Sequence, residues 1–422
     1  MSPPRHLPPN GPLPDLVSRH FEEASFLWTL RRRAVDAPHY TFADLERLDE
    51  RIEAHLDGLR IAGASAEAVI DEGLDVAGPG EVFVSAAIAI ESGSESRLSP
   101  VLEFARDSEP GLEAFLAALC WLPGPRVADV LGHLARREDP TLCRIALAGH
   151  AAHGQAPGAM LHQSLSSRDT GLRALALQVV GELGRREFLP EAKLALPSED
   201  ERCRYVAART CALLGERAAL PVLRSLTERV GRNEAEAVSL AVRRMELADA
   251  RAWLMGFTEQ PEQRRLAIAG IAATGDPFFI PWLLRMMRMP ELARVAGESF
   301  RFITGADLSD RPLEGVAPKV EVETAANEDD VLEIEADADL PWPSPDAVEA
   351  WWARRKGNFH PESRYLLGHP MTVASLRGAL ALGRQRERRA AALELAMRHP
   401  GQPLFDVEAP GFKQRKWLSA LQ

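Results

Sequence analysis

The sequence predicts an all-α fold of stacked helical hairpins, and three observations predict it. Glycine recurs at Gly93, Gly124, Gly154, Gly184, Gly215, Gly275 and Gly305, at intervals of 31, 30, 30, 31, 60 and 30 residues. Met245 holds the register position inside the long interval. A fixed period of this length marks a repeated supersecondary unit. Arg173, Gly184 and Pro190 return 31 residues on as Arg204, Gly215 and Pro221, and 60 further as Arg264, Gly275 and Pro281. Between Arg173 and Gly184, the residues Leu175, Leu177, Val179, Val180 and Leu183 fill most of the helix circumference. A helix apolar nearly all round is one that neighbours bury on several sides.

Each landmark has a physical reason. A glycine that accepts positive φ ends a helix. A proline in the first turn removes an N–H that has no partner there anyway. Ala174, Ala176, Ala207 and Ala208 permit close helix–helix approach. The recurring Arg173, Arg204, Arg264 and Arg294 are expected to pair with carboxylates of the adjacent turn, among them Asp169, Asp200 and Glu262, and not to form an anion-binding ladder. Neither helix of such a hairpin buries its apolar face alone, so neighbouring units must stabilise one another.

The Arg–Gly–Pro pattern across Val82–Gly305 resembles HEAT repeats, specifically the short HEAT-like units first associated with bilin lyases. These units are shorter than the ~40–47 residues of HEAT and armadillo repeats. The resemblance implies an α-solenoid, a superhelix of about eight hairpins, and is nearly silent on function.

Residues 1–14 are expected to be disordered and 15–80 to form an N-terminal helical cap. The cap's helices run from Pro14 to Val35 and from Thr41 until Gly63 closes the second. The repeats occupy 81–306. Residues 307–340 read as an acidic flexible insertion, since Glu321–Asp339 carries nine carboxylates and no basic residue and has little to bury. Residues 341–422 read as a C-terminal helical subdomain. There Ser344 caps a helix with Pro345 at its first position, two more helical stretches lie within Thr372–Gly401, and the solenoid is expected to resume before Gly401, about three periods past Gly305. This region holds thirteen Lys or Arg against seven Asp or Glu, so a contact with the acidic insertion is expected.

The net charge of −11 opposes binding of nucleic acid by the whole surface. Cys120, Cys143, Cys203 and Cys211 fall inside repeat helices without metal-like spacing, as in proteins of a reducing compartment. The N-terminus lacks a signal pattern, and no apolar run approaches the ~18–20 residues of a membrane helix. A cytoplasmic protein without membrane insertion is expected.

Little in the sequence points to catalysis. His150, His153 and His162 lack a carboxylate at matching spacing, and the His-Glu dipeptides of HEAT-type iron hydroxylases are absent. No metal or other cofactor is expected. Arg136, Arg137, Arg168, Arg185, Arg186, Arg202 and Arg217 fall near unit turns, where HEAT-like DNA glycosylases carry a basic face. Aromatic residues to hold a damaged duplex are sparse in these repeats, so a nucleic-acid or glycosylase role is the second reading and a bilin lyase the third. Two clusters suit a protein partner. Trp342, Trp351 and Trp352 stand beside Arg354 and Arg355, the residue types of interface hot spots; the alternative is that they pack a C-terminal subdomain. Trp282, Met286, Met287 and Met289 form a softer stretch whose helical spacing suits the core.

Ala37–Gly63, Phe302–Asp307 (FITGAD) and Leu340–Gly368, with its LPWPSP, EAWW and RYLLG elements, are similar to one proteobacterial family of HEAT-repeat proteins. Members of that family are often encoded near type VI secretion genes. The resemblance implies a non-enzymatic scaffold, adaptor or chaperone-like factor whose partner is a secretion effector or structural component. It carries no catalytic residue over.

Overall fold

A computed structural model of the chain describes residues 13–74, 78–137, 139–228, 233–318 and 337–420. The fold is all-α, as predicted. The strands among the described residues are one antiparallel pair, β1 (Tyr365–Leu366) and β2 (His369–Pro370). Two compact units form, one from the described residues of 1–36, 42–175 and 408–422, the other from 37–41 and 176–407. These units cut across the expected divisions. The expected cap shares a unit with the first repeats and the last helix, and the later repeats share the other with most of the expected C-terminal subdomain.

In the first unit α1 (Pro14–Ala34) pairs with α2 (Phe42–Ala62), which Gly63 closes at φ +54°. Further on, α4 (Pro79–Ser92) stacks on α6 (Glu109–Trp121), and α6 on α8 (Pro140–Ala152). The core is aromatic where these layers meet. Trp28 stacks on Phe83 at 5.0 Å, and Phe83 meets Trp121 edge-on at 5.5 Å. The last helix, α22 (Gly411–Ala420), returns to pack on α2. A buried ion pair fixes it there. Arg31 Nε donates to Asp49 Oδ1 at 2.7 Å, Arg31 Nη2 donates to Ala409 O at 2.9 Å, and Gly411 N–H donates to Asp49 Oδ2 at 2.6 Å. Burial pushes the Asp49 carboxyl pKa up, and Arg31 opposes that push.

In the second unit α12 (Glu201–Leu213), α14 (Glu234–Arg244), α16 (Arg264–Thr274) and α18 (Ala293–Thr304) stack in that order. Beside them, α13 (Ala219–Leu226) packs on α12 and α14, α15 (Leu247–Thr258) on α16, and α17 (Ile280–Met286) on α18. The landmarks fall in register. Gly184, Gly215, Gly275 and Gly305 follow α10 (Thr170–Glu182), α12, α16 and α18 with φ between +66° and +88°. Pro190, Pro221 and Pro281 sit in the first turns of α11 (Leu189–Leu194), α13 and α17.

Two register positions behave differently. Gly124 opens α7 (Gly124–Ala135) instead of closing a helix. Met245 leaves α14 in an extended conformation, φ −85° and ψ 154°. The recurring arginines also differ from expectation. Arg173 donates to Ser167 O at 3.0 Å and Arg204 to Ser198 O at 2.8 Å, not to carboxylates. The reason is local: Asp169 and Asp200 accept the N–H groups of Leu172 and Cys203, satisfying otherwise unpaired first-turn donors. Arg264 approaches Met289 Sδ, and Arg294 donates to Asp337 O at 2.9 Å.

The solenoid was expected to resume before Gly401. Instead the chain of the second unit turns back and crosses the helix ends. Tyr365 N–H donates to Gly275 O (2.8 Å), Leu367 N–H to Phe302 O (2.6 Å), Gly368 N–H to Ile303 O (3.0 Å) and Leu404 N–H to Glu182 O (2.7 Å). Between these points α20 (Val373–Leu382) pairs with α21 (Gln385–Arg398), which packs on α12 and α14. The register glycines make room for this return segment. A Cβ at Gly275 would lie 2.2 Å from Tyr365 O, at Gly305 2.6 Å from Leu367 O, and at Gly184 2.6 Å from the carbonyl carbon of Gly401. Gly93 and Gly154, in the first unit, have nothing within 4 Å of that position. Gly401 keeps a positive φ of +99° but lies against Gly184 instead of closing a further stacked hairpin.

The edges of the expected insertion are also built in. Leu308 and Leu313 are buried, Gly315 N–H donates to Trp342 O, and Ser344 N–H donates to Leu313 O. Ser344 holds the N-cap position of α19 (Pro345–Arg355), but its hydroxyl makes no capping bond. Asp307 of the insertion pairs with Arg384 of the basic C-terminal region at 2.9 Å, as expected, while Asp337 pairs with Arg265 of α16. The acidic residues from Glu321 to Glu335 and residues 1–12 lie outside the described residues.

Two stability measurements check this account. Gly93→Ala should cost about 1–2 kcal/mol, the left-handed penalty alone, while Gly275→Ala should cost roughly 3 kcal/mol or more because an overpacked contact adds to it. Equal losses in chemical denaturation would show that the return segment does not press on the glycine turns. Asp49→Ala should destabilise by about 3–5 kcal/mol, since it strands a buried guanidinium. A loss below ~1 kcal/mol, the scale of an exposed pair, would mean that Arg31 finds solvent instead.

Candidate binding groove at the helix ends

A helix leaves its last carbonyls unpaired and gathers partial negative charge there, so cations settle at its C-terminus. In α14 that end carries Arg243 and Arg244, at the one interval where the register glycine is replaced. Because Met245 continues extended, the turn does not close on itself, and Arg364 of the return segment takes its place. Arg364 Nη2 donates to Val242 O at 2.9 Å and to Met245 O at 2.7 Å. Arg244 reaches the other way, with Nη1 donating to Met397 O at 3.0 Å and Nη2 to Gly215 O at 3.1 Å. Its Nε is buried with no acceptor. Arg243 pairs with Glu394 at 2.6 Å, each side chain only 4% exposed, and Arg398 takes the second oxygen of Glu394 at 3.3 Å.

These residues wall a groove of about 420 Å³, together with Met245, Met371, Met397, Glu246 and Glu362. Four arginines therefore face three carboxylates, one of which, Glu394, is already shared between two of them. Burial holds the pKa values of Arg244 and Arg364 below the usual arginine range; Arg217 adds to the effect on Arg244, and Arg243 and Arg398 to that on Arg364, against the opposing charge of Glu394. The groove keeps one more arginine than carboxylate in an acidic protein. Its apolar lining comes from three methionines, side chains that adapt to irregular contacts.

The arginines of the groove were not singled out from the sequence. The signal was present as the missing glycine: where the register reads Met245, two arginines precede it. Arg364 and Arg398 could not be found that way, because only the fold brings the return segment to α14.

The residues expected to bind a partner lie elsewhere in this unit. Trp351 and Trp352 pack edge-on against Phe300 at 5.7 and 6.4 Å, beside the buried Val348. Arg294 lies over the Trp342 ring at 5.7 Å. Arg354 and Arg355 are exposed, and the Arg355 guanidinium covers Trp351 at 4.5 Å. Met286 and Met287 are buried in the core, against which Trp282 and Met289 pack. Of the basic stripe considered for nucleic acid, Arg185 pairs with Glu187 at 2.5 Å and Arg217 with Glu246 at 3.2 Å. His153 is hydrogen-bonded to Leu119 O at 2.9 Å, and burial lowers the pKa values of His150 and His153. Among the described residues no group of three or more His, Cys, Asp or Glu side chains gathers around a metal-sized site, and no helix is long and apolar enough to cross a membrane. Cys203 and Cys211 are buried, and burial pushes the Cys211 thiol up to about 12.

No family model, no curated protein and no solved structure matches this chain.

Proposed function

We propose that the chain is a non-enzymatic helical-repeat adaptor, a HEAT-type solenoid in overall architecture, that holds a protein partner. The observation that supports this reading is that the helix-end edge of the second unit already holds extended polypeptide. Tyr365, Leu367, Gly368 and Leu404 donate their N–H groups to helix-terminal carbonyls there, and Arg364 does the same with its side chain. Stacked helices that present such ends in register form a surface for chain recognition, the common use of solenoids. The sequence resemblance names the class of partner: an effector or structural component of type VI secretion, with this chain as its accessory or chaperone-like factor.

The test is affinity capture from lysate, followed by reconstitution with the purified partner. One stoichiometric protein should be recovered and should re-form a complex of fixed ratio in sedimentation analysis. Recovery of none, or of a protein that does not rebind once purified, contradicts the adaptor reading. Within that complex, Trp351→Ala with Trp352→Ala should lower stability by about 2–4 kcal/mol, because both rings pack on Phe300. Arg354→Glu with Arg355→Glu should leave the melting transition in place. A double tryptophan variant that melts like the wild type yet loses the partner would put the binding site on those rings.

A further inference from the structure

We propose that the groove at the end of α14 binds an acidic peptide segment, one that presents a carboxylate to Arg244, Arg364 and Arg398 and apolar side chains to Met245, Met371 and Met397. This deepens the adaptor reading and rests on it. The argument begins with charge. Of the groove's three carboxylates, Glu394 is shared by Arg243 and Arg398, Glu246 pairs outward with Arg217, and the charge of Glu362 acts on Arg251. Arg244 and Arg364 are left with backbone carbonyls as their acceptors. A neutral carbonyl compensates a buried guanidinium poorly, and a carboxylate forms the stronger, charge-assisted bond. The buried Nε of Arg244 lacks any acceptor, and a buried donor left unpaired is costly unless a ligand satisfies it.

The walls decide among anions. The groove sits at a helix C-terminus, whose partial negative charge opposes any anion and opposes a phosphate dianion more than a singly charged carboxylate. A long polyanion would meet Glu246 and Glu362 in the walls and the repulsion of a chain with net charge −11. A single carboxylate flanked by apolar side chains meets these obstacles with one charge only and brings apolar contacts to the methionines. The volume of about 420 Å³ lies within the range of sites that enclose small ligands and accommodates a few side chains of a peptide.

The experiment titrates the full chain into fluorescently labelled synthetic peptides and reads anisotropy. One peptide carries a single Glu flanked by Leu residues; its control carries Gln in place of that Glu. Inorganic phosphate and a short DNA duplex serve as competitors. The Glu peptide should bind saturably and at least about tenfold more tightly than the Gln peptide, with the preference shrinking as salt is raised. Arg398→Gln and Arg244→Met should each weaken the Glu peptide by about tenfold, with melting curves recorded for both; Arg398, at the groove's more exposed side, keeps the test valid where Arg244→Met does not fold. Equal affinity for both peptides, or wild-type affinity in a folded Arg398→Gln, overturns the proposal. So does phosphate or duplex binding in the groove while the Glu peptide stays unbound. If a captured partner binds a folded Arg398→Gln protein as well as wild type, the groove assignment fails while the adaptor reading stands.

Discussion

Helix-terminal carbonyls must be hydrogen-bonded or hydrated, and in the second unit that requirement organises the rest of the structure. Its stacked helices end along one edge, each with last-turn acceptors facing outward. The return segment supplies donors to them, from backbone N–H groups at α10, α16 and α18 and from a guanidinium at α14. Glycine at the turn is what lets the two backbones meet, since a Cβ at Gly184, Gly275 or Gly305 would stand within 2.6 Å of the crossing chain. The register glycines thus serve two constraints in this unit and one in the first, where Gly93 and Gly154 face open space.

The exception at α14 follows from the same constraint. With no left-handed residue at Met245, the helix end stays open, and charged side chains replace a backbone-to-backbone contact. Ion pairs continue along α21: Arg386 with Glu298, Arg301 with Glu387 and Arg243 with Glu394. Buried pairs of this kind are weak sources of net stability but costly to break singly, so they fix which residues meet. They place α21 across α18 and α14 in one register, and they leave the groove between α14 and the return segment with more arginine than carboxylate.

Much of this was legible in the sequence and some was not, for physical reasons. The glycine register, the first-turn prolines and the helices beginning at Pro14, Phe42 and Pro345 follow from local chemistry, which a single sequence displays. The role of Arg173 and Arg204 was misjudged because an N-cap aspartate has two uses, pairing with an arginine or accepting helix N–H groups; the second prevailed. The path of residues 364–404 was hidden because its donors and acceptors lie up to hundreds of residues apart. Gly401 shows the difficulty well: its positive φ is what periodicity predicts, and its neighbour Gly184 is not. By composition the tryptophans suited either an interface or the packing of a C-terminal subdomain, and only the fold brings Phe300 against Trp351 and Trp352.

The most direct measurement of the central claim is amide hydrogen exchange of Tyr365, Leu367, Gly368 and Leu404 in the intact chain. These four N–H groups lie outside helices and are protected only by the helix-end carbonyls they meet. The account predicts that they exchange slowly, on the scale of the helices that accept them, because opening them requires the return segment to leave its edge. Exchange as fast as that of an exposed loop, while α16 and α18 remain protected, would contradict it.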